Sequence, residues 1–357
     1  MPDLIELGWN PFFEEAFAPF NAEGHSIGRV ALEYQGLYRV YTEAVELLAE
    51  VTGKFHFQAE SRSDFPAVGD WVVITPFASE KRAIIHKVLP RRSVFSRKVA
   101  GTLTEEQIVA TNVDTIFLVQ GLDGDYNLRR IERYLTVALE SGAKPVVILS
   151  KADLCDEVED RRLEVERVAM GVPVHAISSV ENLGLEQLSE YIGTGLTIAF
   201  LGSSGAGKST LINRLVGKEI QKVQEVRARD DKGRHTTVHR ELIILPSGGL
   251  LIDTPGMREL QLWDAGEGLS DTFADIDSIG GECHFGNCRH ENEPGCAVKE
   301  ALEDGSLDGG RFENYKKMQK ELEYLDSRQD ARARREKERS FGKISKAIMN
   351  EKKRRYK

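Results

Sequence analysis

Nine residues, Gly202-Ser203-Ser204-Gly205-Ala206-Gly207-Lys208-Ser209-Thr210, carry the pattern G-x-x-x-x-G-K-[ST] between the apolar run "LTIAFLG" and a run of helical character. Glycines there let backbone N–H groups turn toward phosphate oxygens, and a following helix N-terminus adds positive potential. Lys208 would reach the β- and γ-phosphates, and the Ser209 hydroxyl would hold Mg²⁺. Asp253-Thr254-Pro255-Gly256 comes later, directly after the apolar run "GLLI". An acid at a strand end suits a water-mediated Mg²⁺ contact, and Gly256 can offer its N–H to a γ-phosphate. Between the two lies "KGRHTTVHR" at 232–240, with Thr236 and Thr237. A threonine in such a polar loop can supply a second Mg²⁺ hydroxyl once a γ-phosphate is present; Thr237 is taken as that ligand.

Upstream of all these stands Ser150-Lys151-Ala152-Asp153, at the end of "KPVVIL". Asp153 can accept hydrogen bonds from guanine N1–H and N2–H₂, which adenine does not offer, while the Lys151 stem covers the ring. A buried donor left unpaired costs about 1–3 kcal/mol, so such a contact selects the base. Serine at 150 departs from the asparagine usual in this tetrad. Ser178, after "VPVHAI", sits where a second base-contacting loop belongs. The order is base tetrad, second base loop, phosphate loop, switch loop, Asp-Thr-Pro-Gly. That is a cyclic shift of the usual GTPase order, and it leaves strand neighbours unchanged.

Cys283-x4-Cys288-x-His290-x5-Cys296 follows, with Gly286, Asn287, Pro294 and Gly295 between the four residues. Three thiols and an imidazole at this spacing fit a tetrahedral Cys₃His zinc site; with no open position, the metal is structural.

The elements that position these residues divide the 357-residue chain, 41% of it apolar, into several units. Residues 1–24 read as a leader with an amphipathic stretch. Residues 25–105 read as a small closed barrel, from "GRVALEYQGLYRVYT", "GKFHFQAE", "GDWVVITPF" and "RAIIHKVLP". Residues 106–265 alternate apolar strands and helices, as in a mostly parallel sheet covered on both faces. Helices are expected over 157–170, near 184–192 and from Lys208 to about Val216. Residues 266–357 hold the Cys/His cluster and a charged helical tail. Between 81 and 98 the chain carries Lys81, Arg82, Lys87, Arg91, Arg92, Arg97 and Lys98 without an acid, a candidate RNA-facing surface. From Arg311 onward, 17 Lys/Arg against 8 Asp/Glu give a net +9, which leaves −18 on residues 1–310; such a tail suits an anionic partner. Four cysteines argue against a disulfide scaffold. With no run of roughly 20 apolar residues and acids rather than bases in the first twenty residues, the expectation is a cytoplasmic protein outside the membrane.

Taken together, SKAD…GSSGAGKST…GRHTT…DTPG, with a barrel before and Cys-x4-Cys-x-His-x5-Cys after, resembles the circularly permuted RsgA/YjeQ GTPases of bacteria over about residues 25–300. The resemblance implies an OB-fold barrel, a permuted P-loop GTPase domain and a helical C-terminal domain holding one structural Zn²⁺. It implies GTP hydrolysis with Mg²⁺, stimulated on the small (30S) ribosomal subunit, and contact with 16S rRNA during late subunit maturation. Other assembly factors are possible partners, and a monomer is expected. Where Ras-like enzymes place a water-orienting glutamine, this chain has Met257. The nearest polar residue is His235, and the resemblance points to the same histidine as the catalytic group. Two other readings compete. A P-loop ATPase or kinase would leave Lys151 and Asp153 without a task; an RNA-binding assembly protein with a vestigial nucleotide site would not need Lys208, Ser209 and Asp253 intact.

Overall fold

The computed structural model describes residues 2–98, 106–217, 240–253, 266–325 and 327. Five strands close a barrel: β1 (Ser26–Tyr34), β2 (Leu37–Tyr41), β3 (Glu46–Val51), β4 (Trp71–Phe77) and β5 (Arg82–Val88). The order is β1-β2-β3-β5-β4, and β4 returns to β1. Closure forces β1 to pair on both sides, and the backbone there is crowded: a Cβ on Gly28 would stand 2.3 Å from Val40 Cγ1. Alternating inward residues fill the interior, among them Val30, Val40, Leu47, Ile74 and Ile85.

One element of the barrel differs from the sequence reading. "GKFHFQAE" is not a strand. Thr52 Oγ1 accepts from Phe55 N at 3.0 Å and starts a helical turn, α2 (Gly53–Gln58). Its aromatic alternation has no buried side chain to serve, and Phe57 is 91% exposed. The strand at that place in the barrel is β3, "ELLAEV", a few residues earlier.

The segment before the barrel packs onto it. Asn10 caps α1 (Pro11–Asn21) by accepting from Phe12 N, and proline occupies the first turn, where its missing N–H costs nothing. Phe13 and Phe17 are buried, and Trp9 meets Trp71 edge to face at 4.8 Å. Burying two such rings contributes about 1.5–3 kcal/mol each.

A separate hairpin, β6 (Val94–Lys98) with β7 (Glu106–Thr111), leads into the second sheet. There β8 (Thr115–Gly121), β9 (Lys144–Ser150), β10 (Val174–Ala176), β11 (Thr197–Gly202), β12 (Glu241–Ile244) and β13 (Leu250–Asp253) stand in the order β10-β9-β8-β11-β13-β12. All neighbours are parallel except β12. The chain therefore enters this unit on β8 and leaves it on β13, the two neighbours of β11. At the far edge β12 meets β1 (Leu32 opposite Glu241), so barrel and sheet are continuous. Helices α3 (Leu128–Glu140), α4 (Val158–Ala169) and α5 (Lys208–Val216) accompany the strands. The segment expected as a helix near 184–192 is a 3-10 helix over Leu185–Tyr191.

Arg29 joins the units at the amino edge of the sheet. Only 2% exposed, it donates to Gly69 O (3.2 Å), Leu7 O (2.5 Å), Asn112 O (3.1 Å) and Thr197 Oγ1 (2.9 Å). Burial pulls its pKa down to about 10, against the pull of Asp114 and Asp70.

After residue 265 come α6 (Gly266–Thr272), α7 (Ala274–Gly280), α8 (Ala297–Glu303) and α9 (309–325). They dock on α3. A Cβ on Gly268 would meet Thr136 O at 2.4 Å, so the helices approach at backbone contact. Arg311, 4% exposed, bridges Asp275 (2.7 Å) and the fully buried Glu132 of α3 (3.1 Å). Burial raises the pKa of Glu132, and Arg129, Asn314 and Arg311 oppose the rise. No described helix is long and apolar enough to cross a membrane.

Candidate functional site

The carboxyl ends of five parallel strands line one edge of the sheet, where open α/β folds place their ligands. Three of these ends carry residues singled out from sequence: Ser150 closes β9, Gly202 closes β11 and Asp253 closes β13. Register sets their spacing. Gly121 pairs with Ser150, Gly202 with Val119, and Ala199 with Ile252.

The phosphate loop turns sharply from β11 into α5. Gly205 and Gly207 take φ of 81° and 88°, a region that favours glycine. Gly202 is held by packing, since a Cβ there would stand 2.3 Å from Val119 O. Lys208 begins α5, and its Nζ donates to the carbonyls of Gly202 and Ser203, each at 2.5 Å. Ser209 and Thr210 follow in the first turn.

Ser150 reaches this loop. Its hydroxyl, 3% exposed, donates to Ala206 O at 2.6 Å. The serine thus ties the base tetrad to the phosphate loop. Lys151 adopts a left-handed backbone (φ 60°), and Ala152-Asp153 lie in the short 3-10 turn that follows, with Asp153 exposed. The second base loop is joined to the tetrad: Ala152 N donates to Ile177 O at 3.0 Å. Ser178 is fully buried, and its hydroxyl accepts from Glu181 N at 3.1 Å. The structure therefore brings Ser150, Lys151, Ala152, Asp153, Ser178, Gly202–Thr210 and Asp253 to one edge. His235, Thr237 and Gly256 lie outside the described residues, as do Thr236 and Met257. Ser209 and Asp253 offer a hydroxyl and a carboxylate on adjacent elements, hard oxygen donors that suit Mg²⁺.

Two residues escaped the sequence reading. Asp123 pairs with Lys151 Nζ, and Asp125 accepts from Ser203 Oγ at 2.6 Å, both from the loop after β8. The only sequence signal was "GLDGDYN", a polar turn between a strand and a helix.

In the C-terminal unit the ligand atoms of Cys283, Cys288, His290 and Cys296 all lie within 4.8 Å of one another. Cys283 Sγ stands 3.6 Å from His290 Nδ1 and 4.0 Å from Cys296 Sγ, and Cys296 Sγ stands 3.4 Å from His290 Nδ1. A tetrahedral zinc with Zn–S of about 2.3 Å and Zn–N of about 2.0–2.1 Å has edges of about 3.5–3.8 Å. These four residues can bind a metal ion. Desolvation raises the Cys283 pKa, but the N–H groups of Val298 and Ala297 at the start of α8 bring it below the ordinary thiol range. Desolvation and the neighbouring thiols push Cys288 up to about 11. A cation held between them would favour the thiolate form of both.

The basic stretch of the barrel is not uniformly available. Arg91 is committed to the side chain of Asp70 (2.7 and 2.8 Å) and to the carbonyls of Ser63 and Phe65. Arg92 faces Asp114 at 3.3 Å, and Lys87 lies over the Phe20 ring.

A closed five-stranded barrel, a phosphate loop on a parallel sheet with permuted strand order and a C-terminal Cys₃His cluster define a circularly permuted P-loop GTPase. The family described as RsgA GTPase matches residues 88–263. Small ribosomal subunit biogenesis GTPase RsgA of Opitutus terrae is 47% identical over 93% of this chain and 94% of its own. A protein named Small ribosomal subunit biogenesis GTPase RsgA 2, of Vibrio parahaemolyticus, is 40% identical over 99% and 94%. Among solved structures, YjeQ from Thermotoga maritima superposes with a TM-score of 0.62 at 29% identity, covering 84% of this chain and 98% of that one. The chain belongs to the RsgA GTPase family, and it is a GTP hydrolase. The vestigial-site alternative is not favoured.

Proposed function

We propose that this chain couples GTP hydrolysis to late maturation of the small (30S) ribosomal subunit in the cytoplasm, acting as a monomer. The observation that carries the reading is the meeting of a guanine tetrad and a phosphate loop, far apart in sequence, through the Ser150–Ala206 hydrogen bond. Relatives named for small ribosomal subunit biogenesis support the partner.

In this reading Asp153 selects guanine and Lys151 and Ser178 flank the base. Residues 202–210 enclose the phosphates, and the Gly256 N–H meets the γ-phosphate. Ser209, Thr237 and Asp253 hold Mg²⁺, which when bound neutralises charge developing on the transferred phosphoryl group. His235 orients the attacking water. Cys283, Cys288, His290 and Cys296 hold one structural Zn²⁺. The division at 24, 105 and 265 separates leader, OB-fold barrel, GTPase domain and zinc domain. 16S rRNA meets the barrel through the basic stretch at Lys81 and Arg82 rather than Arg91, Arg92 or Lys87, and other assembly factors can join.

The test is turnover with and without purified small subunits, for the parent and His235→Ala. Stimulation in the parent, lost in the variant with GTP binding intact, supports the reading. Equal stimulation of both would move the water-orienting role elsewhere, and no stimulation of either would remove the subunit as activator.

A further inference from the structure

We propose that the loop joining β8 to α3 is a positioning element of the nucleotide site, in which Asp123 holds Lys151 for the base and Asp125 holds Ser203 of the phosphate loop. The proposal rests on the assignment of the tetrad given above and adds to it two residues outside every motif.

The loop is tightly made. Leu122 N donates to Ser150 O at 2.9 Å, which fixes its start to the tetrad strand. Asp123 Oδ1 accepts from Asp125 N at 3.2 Å, Tyr126 N donates to Asp123 O at 2.9 Å, and Gln120 Nε2 donates to Asp125 O at 2.8 Å. Asn127 then caps α3 by accepting from Arg130 N at 3.1 Å. With its backbone so determined, the loop has little freedom to reposition either carboxylate.

Each carboxylate points at a different half of the site. Asp123 Oδ2 pairs with Lys151 Nζ, with the two side chains 30% and 24% exposed. Gly121 makes room for this pair: a Cβ there would lie 2.8 Å from Asp123 Oδ1 and 3.6 Å from Lys151 Cδ. The lysine stem thus crosses bare backbone before reaching its partner. Asp125 Oδ2 accepts from Ser203 Oγ and from Arg130 Nη1, both at 2.6 Å. Both carboxyls ionise more readily than usual. For Asp123, burial is the largest influence and opposes this, and the Lys151 hydrogen bond and charge together with backbone N–H groups outweigh it. For Asp125 the Arg130 hydrogen bond leads.

Lysine has among the largest rotamer freedoms of any side chain, and binding must remove it. A lysine already pinned by Asp123 meets the guanine ring with that cost largely met in the free protein. Ser203 lies inside the phosphate loop, so Asp125 orders the loop's first turn in the same way. Because the two acids sit on one rigid turn, the base half and the phosphate half share a support other than the Ser150 bond.

The experiment is a double-mutant cycle on the full chain, read by equilibrium binding of fluorescent GDP. Asp123→Asn and Lys151→Ala should each weaken binding about tenfold, in the range seen for contacting residues. The double variant should bind about as weakly as Lys151→Ala alone, and Asp123→Glu should recover part of the loss. Asp125→Asn and Ser203→Ala should behave as a second non-additive pair. Additive losses, or an unchanged Asp123→Asn, would overturn the proposal while leaving the tetrad assignment in place. An unchanged Lys151→Ala would overturn the tetrad assignment itself.

Discussion

The two edges of the central sheet are built on opposite principles. At the amino edge, the Arg29 guanidinium draws four acceptors from four separate segments, and Asp114 locks β8 to β11 through paired bonds with Thr197 (2.8 Å each). Each of these donors and acceptors answers to another protein group. At the carboxyl edge, the backbone turns through Gly205, Gly207 and Lys151 in the left-handed region, and Ser204 and Gly205 stand exposed. One edge holds the fold together, and the other presents donors to a ligand. Substitutions should therefore separate stability from activity according to the edge they strike.

The largest effect is expected at Arg29. Arg29→Met strands four buried acceptors and should lower the unfolding free energy by about 3–5 kcal/mol in denaturant titration. Arg29→Lys should recover only part of this, because an ammonium cannot fan donors in a plane. A loss below about 1 kcal/mol would dissolve the contrast between the edges.

Lys208→Ala sharpens it from the other side. GTP turnover should fall by about 10²–10³, as when one preorganised donor to developing charge is removed. The melting temperature should move by only about 1–2 °C. Parallel losses of activity and stability would mean that the carboxyl edge is also structural.

Cys288→Ser probes a third kind of region, in which four residues from one short stretch can hold a metal. Zinc content by elemental analysis should drop from about one per chain, and proteolysis should reach residues 266–325 sooner, because binding energy there is folding energy. GDP affinity should hold. Zinc retained in full would remove Cys288 from the ligand set.

The smallest effect belongs to Ser150→Ala. Loss of the bond to Ala206 O should cost about 1 kcal/mol, read as a several-fold weakening of GDP binding.

How far each region could be read in advance follows from where its information sits. The phosphate loop and the Cys₃His cluster are legible because their residues are close in sequence; α5 begins and ends where its glycines dictate, at Gly207 and Gly217. That residues 25–105 hold a barrel was legible, but "GKFHFQAE" was misread because alternation suggests a strand while the Thr52 cap decides for a helix. Arg29, Asp123 and Asp125 were invisible for another reason. Their meaning lies in partners between 22 and 168 residues away for Arg29, and 28 and 78 away for the two acids, which no local pattern encodes.

The strand order also carries a topological consequence. In this cyclic arrangement β8 and β13, through which the chain arrives and departs, are the two strands that clasp β11. The β6–β7 hairpin feeds one of them, and the helices docked on α3 continue from the other. The covalent connections to both appended units therefore run through the neighbours of the strand that ends in Gly202, in addition to the β12–β1 pairing and the packing on α3. Without the cyclic shift, at least one appended unit would join the sheet elsewhere. The permuted order thus sets the nucleotide loop between the two points where the chain enters and leaves the sheet.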